Sequence, residues 1–121
     1  MILQKKYLDS VKITSVNYDE LIGALKRISG KIREQYSFVA KIFLFGSFYK
    51  RNFTPESDLD ILIIVKHTDI PFLERRDLFL DFFKDIPFDL NILVYSEKET
   101  KKMLKEGNLF IENIMKESIN L

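Results

Sequence analysis

The stretch Phe43-Leu44-Phe45-Gly46-Ser47, followed after ten residues by Asp58-Leu59-Asp60-Ile61-Leu62-Ile63-Ile64-Val65, decides how this chain is read. The apolar run after Asp60 is a buried strand by its length and its β-branched content. A strand turns successive side chains to opposite faces, so Asp58 and Asp60 at its mouth point the same way, about 7 Å apart along the backbone. Two carboxylates on one side of a strand end repel each other unless a cation joins them, and a hard divalent ion with oxygen ligands is the natural partner. The Gly46-Ser47 turn ends the preceding apolar strand and is expected beside them.

Working outward, Asn17 with Glu20 reads as a cap pair, and Leu21, Ile22, Leu25, Ile28, Ile32 and Tyr36 recur at helical spacing, which predicts a helix near residues 18–36. Residues 38–45 read as a mostly buried strand, Ser47 as the cap of a short helix over 47–51, and 52–57 as a turn around Pro55. After the strand at 59–65 and a loop at 66–70, Pro71 opens a second long helix. Its stripe is Phe72, Leu73, Leu78, Phe79, Phe82 and Phe83, and it stops before Pro87. Phe88 to Tyr95 is a third strand, Ser96 with Glu99 is a capping box for a helix ended by Gly107, and residues 108–118 are helical again. Residues 1–16 show no clear period and are left unassigned. The expected fold class is α/β (α+β): a small mixed sheet with helices mainly on one face and the carboxylates at the open one.

At 121 residues with 46% hydrophobic content, the chain is expected to form one domain, residues 1–121, with a sizeable core. A net charge of +1 lacks the basic excess that neutralises a phosphate backbone, so no nucleic-acid binding is expected. With no cysteine, disulfides, thiolate metal sites and thiol nucleophiles are excluded together, and any metal must be oxygen-ligated. The first residues lack the apolar stretch of a secretory signal and no run reaches the length of a membrane span, so a cytoplasmic protein is expected.

On the third strand Asp89, Asn91, Leu93 and Tyr95 share one face. Should this strand lie beside the one carrying Asp58 and Asp60, parity lets Asp89 join them, and three carboxylates then converge. Mg²⁺ suits such a set, and two ions can clamp the attacking and leaving oxygens of an in-line displacement. Gly46 lets a backbone approach a phosphate, while Ser47 offers a hydroxyl at a helix N-terminus, where N–H groups favour anions. Lys50 or Arg51 is placed to neutralise charge on a triphosphate.

The segment from Gly46 to Asp60, with its Thr54-Pro55-Glu56-Ser57-Asp58-Leu59-Asp60 approach, resembles the signature of the minimal nucleotidyltransferases of the DNA polymerase β-like superfamily. Asp89 in Phe88-Asp89-Leu90 matches the family's third aspartate, and the tail from Lys105 to Leu121 is similar to the way these proteins end. The resemblance implies a polymerase β palm-like fold, Asp58, Asp60 and Asp89 as catalytic metal ligands, and Gly46, Ser47, Lys50 and Arg51 at the nucleotide. The chain departs from the pattern at Lys50, where arginine is frequent, and at Arg51, where glycine is frequent. The activity implied is Mg²⁺-dependent transfer of AMP from ATP to an acceptor hydroxyl. Members are commonly encoded beside HEPN-domain proteins, and some act as antitoxins by adenylylating a tyrosine of the HEPN toxin.

Plainer readings stand beside these. Ser47 as a helix cap and Asp89 as a strand-edge charge need no ligand. His67, the only histidine, reads as a surface residue, Arg75 and Arg76 as a solvated face, and Lys98, Lys101, Lys102 and Lys105 as aids to solubility. The Phe-rich stripe is core or a partner surface. The competing functions are a non-catalytic antitoxin or binding module that acts by contact alone, and a small-molecule nucleotidyltransferase.

Overall fold

The computed structural model describes residues 1–8 and 11–121. Its centre is a four-stranded mixed sheet built from β3 (Val39–Phe45), β4 (Leu59–Val65), β5 (Leu90–Ser96) and β6 (Ile119–Asn120), in the order β5-β4-β3-β6. β4 runs antiparallel to β3 and parallel to β5, and β6 adds antiparallel to the outer edge of β3. A separate antiparallel pair, β1 (Leu3–Leu8) with β2 (Val11–Val16), occupies part of the region that periodicity left unassigned.

Local chemistry accounts for the main helix ends. In α1 (Tyr18–Gln35) the Asn17 carboxamide oxygen accepts the Glu20 N–H at 3.1 Å, and Asp19 and Glu20 lie at the positive end of the dipole. Leu21, Leu25, Ser29 and Ile32 form its buried stripe. The hydroxyl of Ser29 and the guanidinium of Arg33 both donate to the Leu121 carbonyl, which ties α1 to the strand at the sheet edge. In α4 (Glu97–Lys105) Ser96 and Glu99 complete a reciprocal capping box, and α5 (Leu109–Lys116) starts on Asn108, whose side chain accepts the Ile111 N–H.

The long helix expected after Pro71 does not form. The segment is instead a single turn, α3 (Phe72–Arg75), followed by two 3₁₀ turns at Arg76–Leu78 and Leu80–Phe83. The chain pivots at Phe79, at φ −112° and ψ −17°, and Phe79 and Phe83 still reach the core. Over so short a stretch, repeats of 3.0 and 3.6 residues bring the same side chains inward, and periodicity alone does not separate them. Arg75 is not on a solvated face: it is buried, donating to the carbonyls of Ile70 and Val94 and through both terminal nitrogens to Glu99. That fork joins the loop before α3, strand β5 and the start of α4.

The larger core lies on one face of the sheet. There Ile42, Leu44, Leu59, Ile61, Ile63 and Val94 meet α1, Phe48, Phe79 and Phe83. On the opposite face Phe43, Leu62 and Ile64 pack under Ile111 and Ile114 of α5. β4 carries apolar residues on both faces because both are covered, hence its unbroken Ile-Leu-Ile-Ile-Val run. Among the described residues no helix is long and apolar enough to cross a membrane.

Candidate functional site

The register of β4 on β5 decides which side chains meet at their entrance. Leu59 is level with Leu90 and Asp60 with Asn91, and the Leu59 N–H donates to the Asp89 carbonyl at 2.8 Å. Asp58 is therefore level with Asp89, and all four polar residues fall on the face of the smaller core. Between the carboxylates of Asp58 and Asp60 sits the Asn91 amide, which donates to Asp60 Oδ1 at 3.1 Å and to Asp58 Oδ2 at 3.4 Å. Asp89 lies one strand over with its side chain exposed. Among the described residues no three His, Cys, Asp or Glu side chains are gathered closely enough to enclose a metal ion.

Asp60 is half-buried, and its setting is visible in its acidity. Burial pushes the carboxyl above its ordinary value of 3.8, the Asn91 hydrogen bond pulls it back, and the neighbouring charge of Asp58 raises it again. An ionised Asp60 is thus under-compensated by protein alone. The donors are all oxygens and carry like charge, and that of Asp60 is partly desolvated, which is chemistry that a hard divalent cation satisfies.

Gly46 closes the site from β3. Phe45 pairs with Asp60 across the strands, and Gly46 follows at φ 74° and ψ −147°, a region that only glycine occupies readily. A Cβ built there would overlap Asp60 Oδ2 and stand 3.1 Å from its Cγ, so the carboxylate packs directly on the glycine backbone. Gly46 rather than Ser47 holds the cap position of α2 (Ser47–Lys50); Ser47 is the first helical residue and makes no cap bond. The expectation of a Ser47 cap is corrected on that point. Phe48 anchors α2 in the core, stacked on Phe53 at 4.7 Å and edge-on to Phe88 at 4.9 Å.

Lys50 and Arg51 are exposed at the far end of α2. Arg51 adopts the left-handed conformation, φ 59° and ψ 27°, which glycine adopts more readily than any other residue. Here its guanidinium lies 4.0 Å over the ring of Tyr18, whose hydroxyl donates to the Phe48 carbonyl. The following loop is held by Ser57, whose hydroxyl accepts the Thr54 N–H at 2.8 Å, and it delivers Asp58 to the start of β4.

Two residues escaped the sequence reading. Asn91 was legible as a member of the Asp89 face, but its role as a bridge depends on the register. Arg76 is exposed, as expected, and it also lines a cleft of about 280 Å³ with Asp60, Asn91, Phe45, Leu93 and Phe110. Nothing in its local sequence marks it.

Several solved structures match this chain, and one resembles its fold at a TM-score above 0.5. A proposed nucleotidyltransferase from Sulfolobus solfataricus superposes with a TM-score of 0.58 at 19% identity, over 70% of this chain and 75% of that one. A toxin-antitoxin structure with AMP-PNP matches with a TM-score of 0.45 at 20% identity, over 65% of this chain and 57% of that one. No curated protein matches the sequence. A family model described as the nucleotidyltransferase domain matches residues 25–119, a span that takes in Gly46, the β4 carboxylates and Asp89, and this chain belongs to that family.

Proposed function

We propose that this chain transfers a nucleoside monophosphate, AMP from ATP, to an acceptor hydroxyl. The observation that carries the reading is the seat of Asp60: a half-buried carboxylate packed on the Gly46 backbone, joined through Asn91 to Asp58, one strand from Asp89. Asp58 and Asp60 would hold Mg²⁺, with Asp89 completing the set by a change of side-chain rotamer. The ion supplies charge neutralisation at the phosphates and at the leaving pyrophosphate.

The protein's own part is positioning. The Gly46-Ser47 turn brings backbone against the phosphates without a Cβ in the way, the Ser47 hydroxyl donates to a phosphate oxygen, and Lys50 and Arg51 offset the triphosphate charge. The acceptor oxygen forms a bond to the α-phosphorus as the bond to the bridging oxygen breaks, and pyrophosphate leaves with that electron pair. The acceptor proton passes to Asp89 and on to water. The acceptor we favour is a tyrosine of a HEPN-domain toxin, so that transfer makes this chain an antitoxin. The resemblance of the Gly46–Asp60 segment to the minimal nucleotidyltransferases supports this.

Calorimetric titration of ATP with and without Mg²⁺ tests the site, with Mg²⁺-dependent binding expected. Asp58→Asn and Asp60→Asn are each expected to abolish transfer while the fold is kept, and Asp60→Asn to hold or raise the melting temperature, since the amide removes a penalised charge. Incubation with a HEPN partner, ATP and Mg²⁺ should raise the partner's mass by whole AMP units. Neutralisation of the partner at unchanged mass, with Asp58→Asn equally effective, would replace catalysis by contact alone.

A further inference from the structure

The two strands that frame the site carry the same pattern. Asp58-Leu59-Asp60-Ile61-Leu62 leads into β4, and Asp89-Leu90-Asn91-Ile92-Leu93 leads into β5. The parallel register sets each residue from Leu59 to Leu62 level with its counterpart from Leu90 to Leu93. The polar positions differ in one place, where Asn91 stands instead of a fourth carboxylate. An amide there is neutral and can donate, whereas an aspartate would add a further like charge to Asp58 and Asp60. The donor is in use: Asn91 Nδ2 lies 3.1 Å from Asp60 Oδ1 and 3.4 Å from Asp58 Oδ2. Among the described residues neither carboxylate is in an ion pair, and no other side chain donates to either. A single amide therefore offsets two anions.

We infer that Asn91 is a positioning residue that clasps Asp58 and Asp60 in the metal-free protein, and that a divalent cation must displace this clasp to bind. The inference deepens the transferase reading and rests on it for the cation that the two carboxylates would hold. Competition follows from the oxygens themselves. The Asn91 N–H groups bring partial positive charge to Asp60 Oδ1 and Asp58 Oδ2, and a cation drawn to the same carboxylates meets those groups as like charge. Asn91 is exposed, so its amide can swing aside without disturbing the core. The clasp thus stabilises the metal-free protein and not the metal-bound one, and it weakens cation binding to the same extent. Its service is to hold the two carboxylates on one face against their mutual repulsion, so that the pair is in place when the cation arrives.

Thermal melts of wild type and Asn91→Ala in chelator and across a Mg²⁺ series, with Mg²⁺ alone titrated by NMR into each whole protein, test the clasp. Asn91→Ala is expected to melt about 2–4 °C below wild type in chelator. It is expected to bind Mg²⁺ with a Kd lower by about threefold or more, and the melting gap should close at saturating Mg²⁺. The exposed position favours a folded variant, and circular dichroism checks this. A melting gap unchanged at saturating Mg²⁺, with equal Kd, would make Asn91 an ordinary strand residue and overturn the inference. A higher Kd in Asn91→Ala overturns it too, since the amide would then serve the metal-bound state. Absence of Mg²⁺ binding by wild type would overturn the cation reading instead. The double-mutant cycle of Asn91→Ala with Asp60→Ala in chelator then judges the clasp by itself, and additive shifts in melting temperature overturn it.

Discussion

Gly46 carries two constraints at once, a positive φ and a carboxylate against its Cα, and each excludes a side chain for its own reason. Gly46→Ala is expected to lose about 1–3 kcal/mol from backbone strain alone, with further loss from displacing Asp60. Gly30 supplies the contrast. It lies within α1 with nothing near a built Cβ, and Gly30→Ala should gain about 0.5–1 kcal/mol. Thermal melts of the two variants in parallel check both signs, and equal effects would show that Gly46 is an ordinary turn glycine. Ser47 is judged differently from what its sequence position implies. Since Gly46 holds the cap, Ser47→Ala should change stability by less than about 0.5 kcal/mol, and a drop in ATP affinity would then report phosphate contact directly.

The two cap motifs read from sequence, Asn17 with Glu20 and Ser96 with Glu99, are present because they need only residues three apart and a helix to follow. The second is reinforced from afar. Arg75 holds the Glu99 carboxyl below its ordinary value of 4.5 chiefly by hydrogen bonding, against some burial, with help from Ser96. A carboxyl depressed in the folded state adds stability that is present above its unfolded value and is lost as pH falls through its folded value. Glu99→Gln should therefore melt below wild type at pH 7, and the gap should narrow as pH falls below the ordinary value of 4.5 and through the lower folded value. A gap independent of pH would assign Glu99 to packing alone. The segment after Pro71 shows the opposite case: Arg75 is drawn inward by carbonyls of Ile70 and Val94 that no local rule brings to it.

At the scale of the molecule, the sheet order decides where apolar surface is spent. Phe79 is wholly buried beneath the sheet, whereas Leu109 on α5 is 72% exposed. Phe79→Ala should cost about 3–5 kcal/mol and Leu109→Ala less than about 0.5 kcal/mol, measured by denaturant unfolding. Comparable losses would mean that α5 is covered in solution. The Phe-rich stripe is thus largely interior, with Phe79 and Phe83 in the core and Phe72 at the surface, and it leaves less docking area than its composition implies.

Sequence by itself determined the elements whose causes are local: the helix at Tyr18–Gln35, the strands before Gly46 and from Leu59, the caps at Asn17 and Ser96, and the pairing of Asp58 with Asp60 on one face. Alternation along a strand and hydrogen bonds three residues apart are properties of short stretches of chain. Only the tertiary structure decided that β4 and β5 run parallel with Asp60 level with Asn91. The same holds for the closing of β6 on the edge of β3, the break at Phe79 and the turn of Arg76 into the cleft. These depend on which strands become neighbours and on which buried carbonyls need a donor, and such long-range pairings leave no period in the sequence.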